Sequence, residues 1–131
     1  MIKTIQNWLD VRKQYKLEQQ RQELIGVAKV IISDIMRELV KYDIECSLKI
    51  DIHFSITTYK LNCGENTLDL SIYPNCIKFL YGRDYETLFL IATYEHLKWY
   101  QIFKKSTKKK FYHAEDVVKA ISNMIIMGEA I

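Results

Sequence analysis

The stretch Ser47-Leu-Lys-Ile-Asp-Ile-His-Phe-Ser-Ile56 alternates polar and apolar residues over ten positions. Because successive side chains of a β-strand point to opposite faces, this alternation predicts a half-buried strand with one dry face and one wet face. A slip of one residue would turn every large apolar side chain into water, so we expect the register to be fixed. The apolar positions are Leu48, Ile50, Ile52, Phe54 and Ile56.

The segments that follow predict further strands of the same sheet. Residues 58–63 continue or pair with the first strand, and a turn is expected after them at Gly64. Residues 67–73 again alternate, and Pro74 turns the chain into residues 77–81, where alternate positions are apolar. The short turns favour antiparallel pairing between neighbouring strands.

Residues 85–103, after a turn expected at 82–84, have two interpretations. Their Tyr, Thr, Phe, Ile and Trp content favours strands, with a hairpin at Glu95 and His96. Alternatively, Asp84 could cap a helix over the same residues. We predict two strands, because Glu95 and His96 would interrupt the apolar face of such a helix.

Residues 1–42 are predicted to be helical throughout, because no proline interrupts them and good helix formers dominate. From Leu24 to Val40, apolar residues recur at steps of three and four, which predicts a wide buried stripe. The apolar set before it is shorter and fades into the polar run Glu18-Gln-Gln-Arg-Gln-Glu23. That set is Ile5, Trp8, Leu9 and Tyr15.

The length of this helix raises a question about its N-terminal part. A continuous helix over 5–42 would be about 57 Å long, whereas a domain of this size has a radius of gyration of only about 14 Å. The helix therefore either overhangs the domain, so that Ile5, Trp8 and Leu9 need a partner to cover them, or it breaks near the polar run or Gly26. We favour a break or bend, with 1–23 as a loosely held helical arm.

A second helix is predicted near the C-terminus, from Ala114 to Met127. Acidic residues in its first turn suit the helix dipole, and Gly128 is an end signal. The order of elements predicts a single α+β domain over residues 1–131. It has an antiparallel meander of five to six strands, with the N-terminal and C-terminal helices packed on one face.

The net charge of +3 is concentrated in one place. The segment Lys104-Lys-Ser-Thr-Lys-Lys-Lys110, which we call the lysine loop, contains five lysines and no acid. The remaining chain therefore has a net charge of −2, which is +3 less 5. The basic character belongs to one predicted loop and not to the whole domain.

Catalytic chemistry is not indicated by the polar residues. Asp51, His53 and Ser71 would share the wet face of the sheet, yet no glycine-flanked nucleophile or set of oxyanion donors accompanies them. Glu95-His96 and His113-Ala-Glu115 are single acid–imidazole neighbours, too common to indicate catalysis. The glycines form no phosphate-binding loop. We expect no enzymatic activity and no cofactor.

The three cysteines, Cys46, Cys63 and Cys76, are widely spaced in the sequence. Structural zinc sites usually draw paired ligands two to four residues apart, so no metal site is expected. An odd number of unpaired cysteines predicts reduced thiols in a cytoplasmic protein.

No apolar run reaches the roughly 18 residues that span a bilayer, and the N-terminus lacks the pattern of a signal peptide.

The expected function is therefore binding. Nine tyrosines and two tryptophans in a short chain favour docking on another macromolecule, as an inhibitor, immunity or accessory protein does. Nucleic-acid binding through the lysine loop is the alternative, with Phe111 and Tyr112 stacking on bases. A homodimer through the N-terminal helix is a further variant. The candidate partner-binding residues are Trp8, Tyr15, Lys104, Lys105, Lys108, Lys109, Lys110, Phe111 and Tyr112.

Overall fold

The structure, a computed structural model, describes residues 2–83, 87–101, 104–105 and 109–131. Its elements follow the order helix, five strands, a short 3₁₀ helix, a sixth strand and a second helix. They are α1 (Ile2–Val40), β1 (Ser47–His53), β2 (Ile56–Cys63), β3 (Asn66–Ile72), β4 (Ile77–Arg83), β5 (Phe89–Tyr94), the 3₁₀ helix (Trp99–Gln101), β6 (Lys110–Phe111) and α2 (Ala114–Met127).

The six strands form one sheet in the order β1-β2-β3-β4-β5-β6. Neighbours from β1 to β5 are antiparallel, while β5 and β6 are parallel. The predicted α+β fold, with a mostly antiparallel sheet between an N-terminal and a C-terminal helix, is confirmed. The predicted meander needs one correction, because its last strand pair is parallel.

The hydrophobic core lies between one face of the sheet and the two helices. Register aligns apolar residues across the strands on this face, for example Tyr59, Leu70 and Phe79 in one row. These residues are buried in one cluster with the inward faces of α1 and α2. The helix residues of that cluster include Leu24, Ala28, Ile31, Ile35, Leu39, Val117 and Ile121.

The favoured break in the N-terminal helix was wrong, since α1 is continuous over 39 residues and about 58 Å long. Side-chain pairs three or four residues apart stabilise the polar stretch as a helix: Arg21 contacts Glu18 at 2.7 Å, and Gln19 donates to the Tyr15 hydroxyl at 2.9 Å. Gly26 is exposed and costs about 1 kcal/mol in a helix, which is too little to break it.

The prediction that the strand at 47–56 is half-buried was also wrong. β1 is an edge strand and is exposed along its whole length. Its apolar side chains Leu48, Ile50 and Ile52 point to the helix-covered side of the sheet yet remain 43% to 68% exposed. The reason is that α1 packs on β3 and α2 packs on β5 and β6, so helix cover is concentrated away from β1.

Among the described residues of 85–103, one of the two predicted strands is present. β5 is that strand, but the hairpin expected at Glu95 and His96 was wrong, because the chain has no regular structure there. The place beside β5 is instead taken by β6. The Glu95 N–H donates to the Phe111 carbonyl at 3.0 Å. The predicted turn at 82–84 lies partly outside the described residues, and Gly82 and Arg83 belong to β4.

The C-terminal helix begins at Ala114 and ends at Met127, as predicted. Gly128 takes a left-handed conformation (φ 71°), and its N–H donates to the Met124 carbonyl at 2.9 Å. Glycine is favoured here because a side chain would be strained at this backbone angle.

Candidate interaction surfaces

The arm, as we call residues 2–20 of α1, is exposed at every position from 3 to 20 and has no inward face there. At roughly 100° per residue, the centre of Ile5, Trp8 and Leu9 lies roughly 140° around the helix from the centre of the buried stripe. The apolar stripe of the arm is therefore not a continuation of the core stripe. It points away from the sheet that the rest of α1 covers, and Tyr15 extends it toward the domain.

Side-chain contacts within the arm stabilise its helix, and one of them places a cation beside the Trp8 ring. The Arg12 guanidinium lies 5.3 Å from the centre of the Trp8 ring, a cation–π arrangement one helical turn apart. Gln6 donates to the Asp10 carboxylate at 3.1 Å. The arm contains four basic and two acidic residues, a net charge of +2. The exposed apolar side chains of the arm are therefore surrounded by a weakly positive surface.

The base of the arm is tied to the turn between β1 and β2. The Arg21 guanidinium donates to the Ser55 carbonyl. The two turn residues, Phe54 and Ser55, both have positive φ (50° and 63°), as in a type I′ hairpin turn. Phe54 is 88% exposed. A bulky residue at positive φ is strained, so this turn holds an exposed aromatic ring at a conformational cost.

Phe54 was missed as a surface residue in the sequence because it fits the alternation of the preceding strand. Type I′ turns usually show Asn-Gly or Asp-Gly, and Phe-Ser gives no such signal. No local signal marks the turn, because the polar–apolar alternation continues through it unchanged.

The lysine loop is exposed at the positions that the structure describes. Lys104, Lys105, Lys109 and Lys110 are exposed, and Lys108 lies outside the described residues. Lys110 begins the short strand β6, where its ammonium is 3.5 Å from the Glu95 carboxylate.

The two aromatic residues that follow the lysines do not lie at the surface. Phe111 and Tyr112 are only 7% and 5% exposed. The ring of Tyr112 faces the Lys104 ammonium at 5.1 Å from its centre. The expectation that these rings are presented to bases is therefore corrected, because both side chains are buried.

The open face of the sheet, opposite the helices, is polar along β1, β2 and β3, while Leu80 and Leu90 lie on it at β4 and β5. Asp51 and Ser71 lie in one cross-strand row with Thr58 between them. Two strand spacings of about 4.8 Å separate Asp51 from Ser71, which is beyond hydrogen-bond reach. Ser71 instead pairs with the Thr58 hydroxyl at 3.2 Å, and the ring of His53 packs against Phe54. The three residues considered for catalysis do not form a connected set.

A charged group lies at the centre of this open face. Asp69 is 8% exposed, and its Oδ1 has no hydrogen-bond partner among the described residues. Burial raises the pKa of Asp69, and the Asp51 carboxylate adds to the rise, while the Lys60 ammonium opposes it. Lys60 also lies 3.9 Å from Asp51.

Two of the cysteines are neighbours in space. The Cys46 and Cys63 sulfurs are 2.7 Å apart, and Cys76 is a separate free thiol. Burial and the hydrogen bond with Cys46 raise the pKa of the Cys63 thiol, so the neutral form is favoured. Sequence spacing hid this pair, since the two residues are brought together only by the pairing of β1 with β2.

The described part of the chain brings together no group of three or more His, Cys, Asp or Glu side chains suited to a metal ion.

Comparisons with protein-family models, with curated proteins and with solved structures find no match. No helix among the described residues combines the length and the apolar character needed to cross a bilayer.

Proposed function

We propose that this protein is a small cytoplasmic binding protein without chemistry of its own, which docks on a protein partner as an inhibitor, immunity or accessory protein does. The observation that carries the proposal is the arm. About 28 Å of helix extends past the sheet, with Ile5, Trp8 and Leu9 exposed on one side.

The arm suits recognition of a groove by a preformed helix. Amphipathic helices bind such grooves through apolar anchors spaced three and four residues apart, which is the spacing of Ile5, Trp8 and Leu9. Tryptophan and tyrosine are the residues that most often dominate binding energy at protein interfaces. Because side-chain pairs already stabilise the helix, less conformational entropy is lost when the arm is bound.

The charges of the arm indicate the kind of partner. With a net charge of +2, the arm fits an apolar groove whose rim is acidic, since complementary charges steer encounter and fix orientation. Phe54, held beside the base of the arm by the contact of Arg21 with Ser55, would extend the same contact area.

Paired substitutions in the arm test this proposal. The double variant Trp8→Ser/Leu9→Ser removes two anchors. Val11→Ser removes an exposed apolar side chain that lies roughly 110° around the helix from the mean direction of these two anchors. We expect tagged wild type and Val11→Ser to capture the same protein from a cell extract and to co-migrate with it on a sizing column. The double variant should lose it. A wild-type protein that captures nothing, or equal capture by all three, contradicts the proposal.

Nucleic-acid binding is the second candidate, favoured by the exposure of Lys104, Lys105, Lys109 and Lys110. The burial of the two adjacent rings weakens it, as does the net charge of −2 outside the loop. Phosphate contacts would make retention on DNA or RNA fall steeply with salt. A wild-type protein that ignores nucleic acid at low salt rejects this candidate.

A further inference from the structure

The two edges of the sheet are unlike each other. β6 is two residues long, whereas β1 is seven residues long and pairs with β2 over seven positions without a register shift. Natural edge strands are usually protected by Pro, by bulges, by short length or by charged side chains. β1 has no Pro, no bulge and seven residues, and its two charges, Lys49 and Asp51, have opposite sign. Its outer backbone groups therefore form a regular template for another strand, provided that the charges of that strand are complementary.

The turn after β1 shows which backbone groups point outward. In a two-residue type I′ hairpin the residues flanking the turn, here His53 and Ile56, exchange both backbone hydrogen bonds. Hydrogen-bonded and non-hydrogen-bonded pairs then alternate along the strand. The N–H and C=O groups that face away from β2 therefore belong to Leu48, Ile50 and Ile52.

These positions are compatible with a second copy of β1 in antiparallel orientation. If a two-fold axis passes through Ile50, the midpoint of β1, then Ile50 faces its own copy and Leu48 faces Ile52 of the second copy. All three positions have outward backbone groups, so the pair forms six backbone hydrogen bonds. The apolar side chains Leu48, Ile50 and Ile52 meet on the helix side of the sheet, at its edge, where they are exposed.

Charge selects this register over its neighbours. With the axis at Ile50, Lys49 of each copy lies opposite Asp51 of the other, in the non-hydrogen-bonded pairs where side chains are closest. Moving the axis by one residue places Lys49 opposite Lys49 or Asp51 opposite Asp51. Within one chain, Lys49 faces the like charge of Lys60 across the β1–β2 pair, so an acidic neighbour on its other side relieves a repulsion.

We propose that two copies of this protein associate through β1 in this register and join their sheets into one of twelve strands, twice the six of a single copy. The interface is self-complementary, as a two-fold axis requires. It differs from a dimer through the N-terminal helix, because the arm takes no part. The two arms leave from opposite ends of the paired strands, since each is tied to the β1–β2 turn of its own copy.

Charge reversal and its rescue test the pairing by sedimentation equilibrium over a range of protein concentrations. Wild type should shift from 15.6 kDa toward twice that mass as its concentration rises. Lys49→Asp and Asp51→Lys each convert two attractive pairs into two repulsive ones, and should weaken the dimer about tenfold or more. The double variant Lys49→Asp/Asp51→Lys restores opposite charges and should recover the wild-type affinity.

Two further variants separate this dimer from other assemblies. Ile50→Pro removes an outward N–H but no bond to β2, so it should leave the fold intact and abolish the dimer. Trp8→Ser should leave the dimer unchanged. The proposal is overturned if wild type stays at 15.6 kDa at the highest concentration. It is equally overturned if the single charge reversals leave the dimer intact, or if the double variant fails to recover it.

Discussion

β1 and β3 have nearly the same sequence pattern and opposite surroundings. Residues 48–52 read Leu-Lys-Ile-Asp-Ile, and residues 68–72 read Leu-Asp-Leu-Ser-Ile. The apolar residues of β3 are buried beneath α1, whereas those of β1 are exposed at the edge of the sheet. Alternation thus determines which face a side chain occupies. Whether that face is covered depends on where the helices pack.

The same contrast divides α1. Its C-terminal half has a buried stripe on the sheet, and the arm has an exposed stripe on roughly the opposite side. In both elements, apolar side chains that the fold does not use lie where another chain can reach them. Both proposed interfaces depend on these exposed side chains.

The largest expected difference concerns stability. Leu70→Ala, in the fully buried centre of β3, should lower the free energy of unfolding by about 2–5 kcal/mol, because it removes core contacts and leaves a cavity. Ile50→Ala, at the matching position of β1, should change it by less than about 0.5 kcal/mol in dilute solution. Urea unfolding of both variants checks this. Comparable losses would mean that β1 is covered after all.

The turns that follow β1 and β2 offer a smaller test. Gly64 adopts positive φ (66°) without strain, while Phe54 and Ser55 adopt it at a cost. Phe54→Asn/Ser55→Gly should therefore raise the free energy of unfolding by about 1 kcal/mol or somewhat more. Thermal unfolding gives the measurement, with Gly64→Ala as the control that should destabilise. No gain from the double substitution would show that the turn is unstrained.

The smallest expected effect is a difference in the pH dependence of stability between variants of Asp69 in β3 and of Asp51 in β1. Burial raises the pKa of Asp69 in the folded protein above its unfolded value. The folded state therefore binds more protons between those two values, and stability falls as pH rises through that window. Asp69→Asn should remove this fall and raise stability at neutral pH. Asp51→Asn, at an exposed site, keeps the buried carboxyl and should only lessen the fall, because it removes a smaller cause of the raised pKa of Asp69. An unchanged pH profile for Asp69→Asn would refute the assignment.

Much of the fold could be predicted from local patterns. Turn residues and alternation located β2, β3 and β4, and the capping signals located α2 to the residue. The parallel placement of β6 could not be predicted, because it depends on a long connection and two backbone hydrogen bonds to β5. The continuity of α1 was missed because side-chain pairs outweigh the cost of Gly26.

The candidate surface was predicted in part. Trp8 and Tyr15 belong to the short apolar stripe of the arm, which is separate from the stripe of α1 that packs on the sheet. The structure places both residues at the surface. The exposure of β1 and Phe54 could not be read from alternation, which is identical in covered and uncovered strands. The burial of Phe111 and Tyr112 could not be predicted, because β6 contacts β5 and α2, and these tertiary contacts have no local signal.

Hydrogen exchange of the backbone amides in β1 and β3, measured at two protein concentrations, tests the central claim most directly. We predict that Leu48, Ile50 and Ile52 exchange rapidly in dilute protein, while Leu68 and Leu70 exchange slowly. At high concentration, the three β1 amides should become protected as the copies pair. If these amides are as protected as those of β3 in dilute protein, or exchange rapidly at every concentration, β1 is not a contact edge.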